Sequence, residues 1–398
     1  MKVLHILPYV PQPASFGGAL RNWHILKHLH QNHDVTIAGY SEIGDLNLLY
    51  KKLPGIAERS HFINRTKAKF HRLFQTYTLF TDHSYWYNWT LSEELQQLLN
   101  KLLSEQDFDF VITEFTAMGH FKLKTDAVRI VDAHNVEYEN FRRMSQVGWS
   151  PIRKAFYKRE YRKCYEEEIG MLKNQDAIFT TSEVDTAIFK KDVPDLPYFV
   201  IPNGVDTSYF SSQARNPSPY TLVFTGSMGY IPNSDGMIYF LEEIFPIIKK
   251  RIPQASVCVV GNNPPDILKK YSSDSVTITG YVDDVRPYIE KAAVYVVPLR
   301  MGSGTRLKVL EALAMKVPIV STSIGCEGIE VKDNRHLLIR DDADSFAEAV
   351  IQLMEDRLLR EKLVYYGYEQ VVDLYDWKVI GRSIDEAFYS LKSVHQWA

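Results

Sequence analysis

The stretch RMGSGTRLKVLEALAMKVPIV, residues 300–320, reads in order as a strand end, a glycine-rich turn, an apolar helix and the opening of another strand. The helix, expected over 305–315, carries Arg306 and Lys308 in its first turn. The helix macrodipole is positive there and disfavours cations. A bound anion resolves the conflict. Free backbone N–H groups at a helix N-terminus bind phosphate, and Gly302 and Gly304 let it approach the chain closely. Ser303, Gly304 and Thr305 would line that turn. Glu311 follows Lys308 by three residues and shares its helix face. With a phosphate at Lys308, Glu311 lies one turn deeper, where it can accept hydrogen bonds from two adjacent hydroxyls such as those of a ribose. Taken alone, the same residues also fit a solvated basic turn with a surface ion pair.

Outward from this stretch, short β-branched runs alternate with helical segments. KVLHILP, DVTIAGY, FDFVITEF, VRIVDAHN, AIFTTS and YFVIPNG read as strands of the first half, with helices expected over 18–30, 91–105 and 151–172. TLVFTGSM, ASVCVVG, VTITGYV, VYVVPL and PIVSTS repeat the plan in the second, with a helix over 234–250. Continuous apolar strands between helices imply parallel sheets covered on both faces, an α/β fold of two doubly wound, Rossmann-like domains. The expected division is an N-terminal domain over 1–205, a Ser/Pro/Asn-rich linker over 206–219, a C-terminal domain over 220–374 and a last helix over 375–398, packing back on the N-terminal domain. Ligands of such sheets bind beyond the carboxyl ends of the strands, so two facing domains would make a cleft.

Composition agrees with this class. The 398 residues are 45% hydrophobic and 24% charged, ordinary for a globular chain. A formal charge of −3 offers no reason to expect a nucleic-acid partner. Cys164, Cys258 and Cys326 are far apart and lack metal-ligand spacing, which suits buried thiols in a reducing, cytoplasmic setting. The opening MKVLHILPYVPQP is interrupted by His5 and Pro8 and reads as a first strand rather than a signal peptide. No apolar run of about 18 residues suggests a membrane span.

With the order in place, several segments resemble a known family. VIPNGVD (200–206, with Asn203) resembles the interdomain signature of family 4 glycosyltransferases, which have the GT-B fold. EALAMKVPIVSTSIGCEGI is similar to their donor-binding helix and following strand, and RDDADSFAEAVIQLMEDRLLREKL with YDWKVI to the segment closing their second domain. FTGSM…PN…D and PLR…G…KVLEA.AM resemble bacterial exopolysaccharide sugar transferases, and the likeness runs from PQPASFGGALRNWHILKHL to Trp377.

The resemblance implies a retaining, metal-independent glycosyltransferase of hexosyltransferase type. It would move a sugar from a UDP- or GDP-linked donor to a glycan or lipid-linked acceptor in cell-surface polysaccharide or glycolipid synthesis. No cofactor is implied beyond the donor substrate. Attack would come from the front face, helped by the leaving phosphate. The family's second glutamate maps to Glu311, for the ribose; its first maps to Ser303, so a carboxylate that normally touches the donor sugar is missing. Many relatives have Arg and Lys in the loop that here reads TGSMGYIPNSDG, with Gly226, Ser227, Tyr230 and Asn233; Arg306 and Lys308 are expected to supply that charge instead. Gly17 and Gly18, opening a helix after the first strand, match a loop facing donor phosphates and acceptor, and His134 matches a cleft histidine. Glu114 ends the neighbouring strand and is expected in the same cleft, a solvated acid being the other reading.

Asp107 and Asp109 lie at a strand's start, the wrong end for a cleft, and no metal is assigned. The acid-free run RSHFINRTKAKFHR (59–72) and RRMSQVGWSPIRKAFYKREYRK (142–163) suit either a solvated face or contact with an anionic membrane. The second reading would place the protein at the inner face of the cell membrane. Two other functions compete: a non-catalytic sugar-nucleotide-binding protein, suggested by Ser303, and a GT-B sugar epimerase, for which no flanking acid/base pair is evident.

Overall fold

A computed structural model describes residues 1–14, 16–64, 78, 81–146, 151–212, 216–302 and 304–395. Ser303 and most of the first basic run, with Arg65, Lys67 and Lys69, lie outside the described residues. The chain forms two units, Met1–Pro202 with Gly381–Ala398, and Asn203–Ile380.

In the first unit the strands are β1 (Lys2–Leu7), β2 (Asp34–Tyr40), β3 (Ser60–Ile63), β4 (Phe110–Glu114), β5 (Val128–Ala133), β6 (Ala177–Thr180) and β7 (Tyr198–Val200). They pair in the order β3-β2-β1-β4-β5-β6-β7, every pair parallel. The chain builds outward from β1 to β3, then returns to lay β4 against the other side of β1. The switch point therefore lies between β1 and β4, where doubly wound sheets open a crevice.

The second unit repeats this with β8 (Thr221–Thr225), β9 (Ser256–Val260), β10 (Val276–Ile278), β11 (Val294–Val297), β12 (Ile319–Ser321) and β13 (Leu338–Ile339), ordered β10-β9-β8-β11-β12-β13. Its switch point lies between β8 and β11. Both sheets are buried on two faces. All four residues of β11, Val294 to Val297, are fully inaccessible, and each such side chain contributes about 1.5–3 kcal/mol. That burial is why these strands read as unbroken apolar runs.

Three details differ from the sequence expectation. β3 and β13 are edge strands of four and two residues, too short to leave an apolar signature. The helix expected over 234–250 is broken into Ile231–Tyr239, a π turn Phe240–Ile244 and Phe245–Arg251. Pro246 has no N–H to continue an α ladder and its ring crowds the preceding turn, so the backbone widens before it.

Described residues of the expected linker, and Val205 just before it, make contacts within the second unit. The second unit begins at Asn203, and Val205 N–H donates to Tyr375 O at 2.8 Å while Ser212 donates to Glu290 at 3.0 Å. The Arg286 guanidinium also covers the Tyr209 ring at 3.8 Å. The last helix, Trp377–His395, passes from the second unit into the first after Ile380. Beyond that point Phe388 stacks on Phe110 with centroids 4.3 Å apart, and Lys392 reaches Asp109 at 2.9 Å.

Candidate functional site

At the switch point of the second unit, Gly226 follows β8 with φ +154°, a conformation open to glycine. A Cβ there would stand 2.6 Å from Lys308 Nζ and 2.9 Å from the Asn233 amide nitrogen. The glycine thus makes room for a lysine head. Lys308 Nζ donates to Asn233 Oδ1 at 2.8 Å and lies 3.9 Å from the centre of the Phe224 ring, while Asn233 in turn donates to Ser227 O at 2.8 Å. Ser227 is exposed beside them.

Across the switch point, the turn after β11 has two left-handed glycines, Gly302 at φ +122° and Gly304 at φ +76°. The helix is Leu307–Ala314, so Arg306 precedes it and Lys308 is its second residue. The two cations of the opening stretch have different surroundings. Arg306 is buried and its Nη1 donates to Gly304 O at 3.0 Å, bracing the turn. Lys308 is the cation beside Gly226. Thr305 Oγ1 is enclosed in the same turn and has no hydrogen-bond partner among the described residues.

Burial pushes the Lys308 ammonium down to about 7, Arg306 adding to the effect and Glu311 opposing it. Burial likewise pushes the Glu311 carboxyl up to about 7, against the pull of Lys308. Both groups are therefore poised to change charge near neutrality, as ligand-responsive groups do.

At the switch point of the first unit, three neighbouring strands each bring a fully buried ionisable residue: His5 on β1, Glu114 at the end of β4, and Asp132 near the end of β5. The fully buried Glu114 carboxylate bridges two imidazoles, His5 Nε2 at 2.5 Å on Oε1 and His134 Nε2 at 2.7 Å on Oε2. Burial raises its pKa, but His5 and His134 together outweigh that and hold it well below the usual carboxylate range. With its amide nitrogen turned toward them, Asn22 donates to Glu114 Oε2 at 2.9 Å and to Gly18 O at 3.2 Å.

Asp132 is clamped by both arms of Arg21, Nε at 2.7 Å and Nη2 at 2.6 Å, an ion pair buried on both sides. Burial pushes the Asp132 carboxyl up, and the guanidinium opposes this. Glu114, Asp132 and His134 offer three ligand atoms within 4.8 Å of one another. The two carboxylates already accept from His5, His134 and Arg21, and the fixed guanidinium charge opposes a cation at this point.

Gly17 and Gly18 open the helix Gly17–Asn32, as expected. A Cβ on Gly18 would collide with the Tyr9 hydroxyl and stand 3.6 Å from His134 Nδ1, so the bare glycine borders the histidine. The structure therefore brings Gly18, Glu114 and His134 together in the first unit. In the second it gathers Gly226, Ser227, Lys308 and Glu311, with Gly304, Thr305 and Arg306 in the adjoining turn. Asn203 begins the second unit, next in sequence to Pro202, whose carbonyl accepts from Arg21 at 3.2 Å.

Sequence reading missed His5, Arg21, Asn22 and Asp132. An ionisable residue between apolar neighbours inside a strand run was the available signal for His5 and Asp132. Glu168 was also missed: buried, it receives Thr116 Oγ1 at 2.7 Å and the Tyr138 N–H at 3.0 Å, capping the start of the helix Glu137–Gln146 just after His134. Burial and the Glu137 charge push it up to about 8, against those hydrogen bonds.

Two parallel-sheet, Rossmann-like units with these switch-point clusters define the GT-B class of fold. Sucrose-phosphate synthase from Thermosynechococcus elongatus has the same fold, with a TM-score of 0.70 and 17% identity over 99% of this chain and all of the other. HepE of Anabaena in complex with UDP and glucose gives a TM-score of 0.67 at 12% identity, over 98% of this chain and all of the other. Residues 219–356, within the second unit, match the family described as glycosyl transferases group 1. Phosphatidyl-myo-inositol mannosyltransferase of Mycobacterium tuberculosis is 28% identical over 199 residues, 46% of this chain and 52% of that protein. The chain spans about half the length of the curated relatives it matches.

Proposed function

We propose that this protein is a retaining, metal-independent glycosyltransferase of family 4 type, moving a sugar from a nucleotide-diphosphate sugar to a glycan or lipid-linked acceptor. The observation that carries the reading is the Lys308 ammonium, lodged between Asn233 and Gly226 at the switch point with Glu311 one turn below. The matched family segment contains all four residues. Lys308 and the Gly302–Gly304 turn would meet the diphosphate, and Glu311 the ribose. A fixed cation aimed at the leaving group favours bond cleavage, because negative charge builds there in the transition state.

In the reaction the acceptor oxygen bonds to the anomeric carbon as the bond from that carbon to the phosphate oxygen breaks. The acceptor proton passes to the departing diphosphate on the same face, so configuration is kept. His134, with Nε2 fixed by Glu114, would orient the sugar or acceptor through Nδ1. UDP is the first donor nucleotide to test, since HepE was solved with UDP and glucose.

A cytoplasmic location at the inner face of the membrane goes with a lipid-linked acceptor. No helix among the described residues is long and apolar enough to cross a membrane. The helix Pro151–Leu172 exposes Arg153, Lys154, Lys158 and Arg159 around its first two turns, cations that anionic lipid would attract at about 1 kcal/mol each where they reach it. Lys163 of the same basic run is turned inward instead, donating to Glu160 at 2.9 Å and to Thr78 O at 2.7 Å.

The deciding experiment incubates the full chain with a panel of UDP- and GDP-sugars in the presence of a chelator. It follows release of nucleoside diphosphate and the anomeric configuration of any product. Release with retained configuration is expected. Tight binding without turnover of any donor would favour a non-catalytic binder, and failure to bind any nucleoside diphosphate would defeat the assignment.

A further inference from the structure

A second cluster lies at the amino end of the first sheet, beside the start of β2. His28 is near the end of the helix Gly17–Asn32, His33 immediately precedes β2, and Asp385 is on the last helix. His28 Nε2 stands 3.0 Å and His33 Nε2 2.8 Å from the same oxygen, Asp385 Oδ1. We propose that His28, His33 and Asp385 form a binding site for a divalent transition-metal ion of the zinc class. The site is independent of the proposed transfer reaction.

Two imidazoles and one carboxylate are a donor set that zinc and its neighbours accept, water completing the shell. All three donor atoms already converge within 4.8 Å. Zinc–ligand bonds of about 2.1 Å put tetrahedral neighbours about 3.4 Å apart, so rotamer adjustments of about half an ångström would admit the ion. Asp385 is 25% exposed, which gives the ion a way in, whereas His33 is 5% exposed and well held.

The surroundings position His28 as well. Gly381, one turn before Asp385, lies directly under its ring, and a Cβ there would collide with the imidazole. A glycine inside a helix is unfavourable by about 1 kcal/mol relative to alanine, and this contact accounts for its place. Ligating histidines usually donate their other N–H to a partner. Neither histidine has that support: the atom 3.3 Å from His28 Nδ1 is the Asn32 amide nitrogen, itself a donor, and His33 Nδ1 has no hydrogen-bond partner among the described residues. Affinity on the order of micromolar, rather than that of a fully supported site, follows from the missing partners. The bound ion would tie the last helix to the segment between the first helix and β2, closing a loop of more than 350 residues.

The test is calorimetric titration of Zn²⁺ into the untagged, chelator-stripped full chain at pH 7.5. One saturable site is expected, with the thermal midpoint rising as it fills. Replacing His28→Gln or Asp385→Asn should weaken binding by roughly tenfold or more, while His30→Gln, on the same helix outside the cluster, should not. Should a variant fail to fold, the parent decides: Co²⁺ should broaden the ring resonances of His28 and His33 before those of any other histidine. No saturable site in the parent, binding that survives His28→Gln, or broadening centred elsewhere would each overturn the proposal.

Discussion

Lys308 offers the sharpest test of the nucleotide site, because its charge state is tied to its burial. An ordinary lysine titrates near pH 10.4, whereas burial brings this one down to about 7. At pH 8.5 only about 3% of unliganded Lys308 then carries a proton. A diphosphate bound beside it restores the charged form, so binding must take up about one proton from solution. The sign follows directly: above pH 7, affinity for a nucleoside diphosphate falls as pH rises, until the pKa of the bound lysine is reached. From pH 7.5 to 9.5 the loss is roughly 75-fold, or about 2.6 kcal/mol.

Glu311, at about 7, is already ionised over most of that window, so a nucleoside lacking phosphates should lose almost nothing. Titration calorimetry with UDP and with uridine, in two buffers of different protonation enthalpy, counts the protons directly. Lys308→Arg keeps its charge at every pH used and should flatten the slope. The reasoning fails if UDP binds without proton uptake, or if Lys308→Met binds UDP with the same uptake as the parent.

Other substitutions separate the remaining parts. Glu311→Ala should cost tenfold to over a hundredfold in UDP affinity, since charge-assisted hydrogen bonds contribute about 1.5–3 kcal/mol each; Ser303→Ala should leave affinity nearly unchanged and alter the rate or choice of sugar, and calorimetry and turnover on both variants will show which loss is larger. His134→Ala should lower turnover while UDP affinity stays within about threefold, an unchanged rate removing it from the site. Arg21→Met should lower stability by about 3–5 kcal/mol in urea denaturation by stranding the Asp132 charge, and adding Asp132→Leu should recover part of that. Glu168, raised from 4.5 to about 8, favours the folded state most below pH 4.5 and loses that contribution as pH rises to about 8; denaturant midpoints of Glu168→Gln should lack that part of the decline.

The alternating plan of both sheets and the glycine-rich turn before Leu307 were legible in the sequence. Strand runs such as VYVVPL and the turn glycines Gly302 and Gly304 are local signals: periodicity and backbone freedom act within a few residues of themselves. From the same local logic Lys308 and Glu311 share a helix face, and Gly17 and Gly18 open a helix after β1. Spacing could not set Lys308 apart from Arg306, because the Lys308 partner is Asn233, 75 residues away. Nor could composition reveal that Ser212 of the Ser/Pro-rich segment donates to Glu290, since a hydrogen bond to a residue 78 positions away leaves no trace in local sequence. The tertiary structure alone decided which polar residues meet: His5 and His134 on Glu114, Arg21 on Asp132, and His28 and His33 on Asp385. A side chain's charge and proton affinity are set by whatever the fold places within a few ångströms of it, and partners more than 100 or 350 residues away become neighbours only when the sheets have formed.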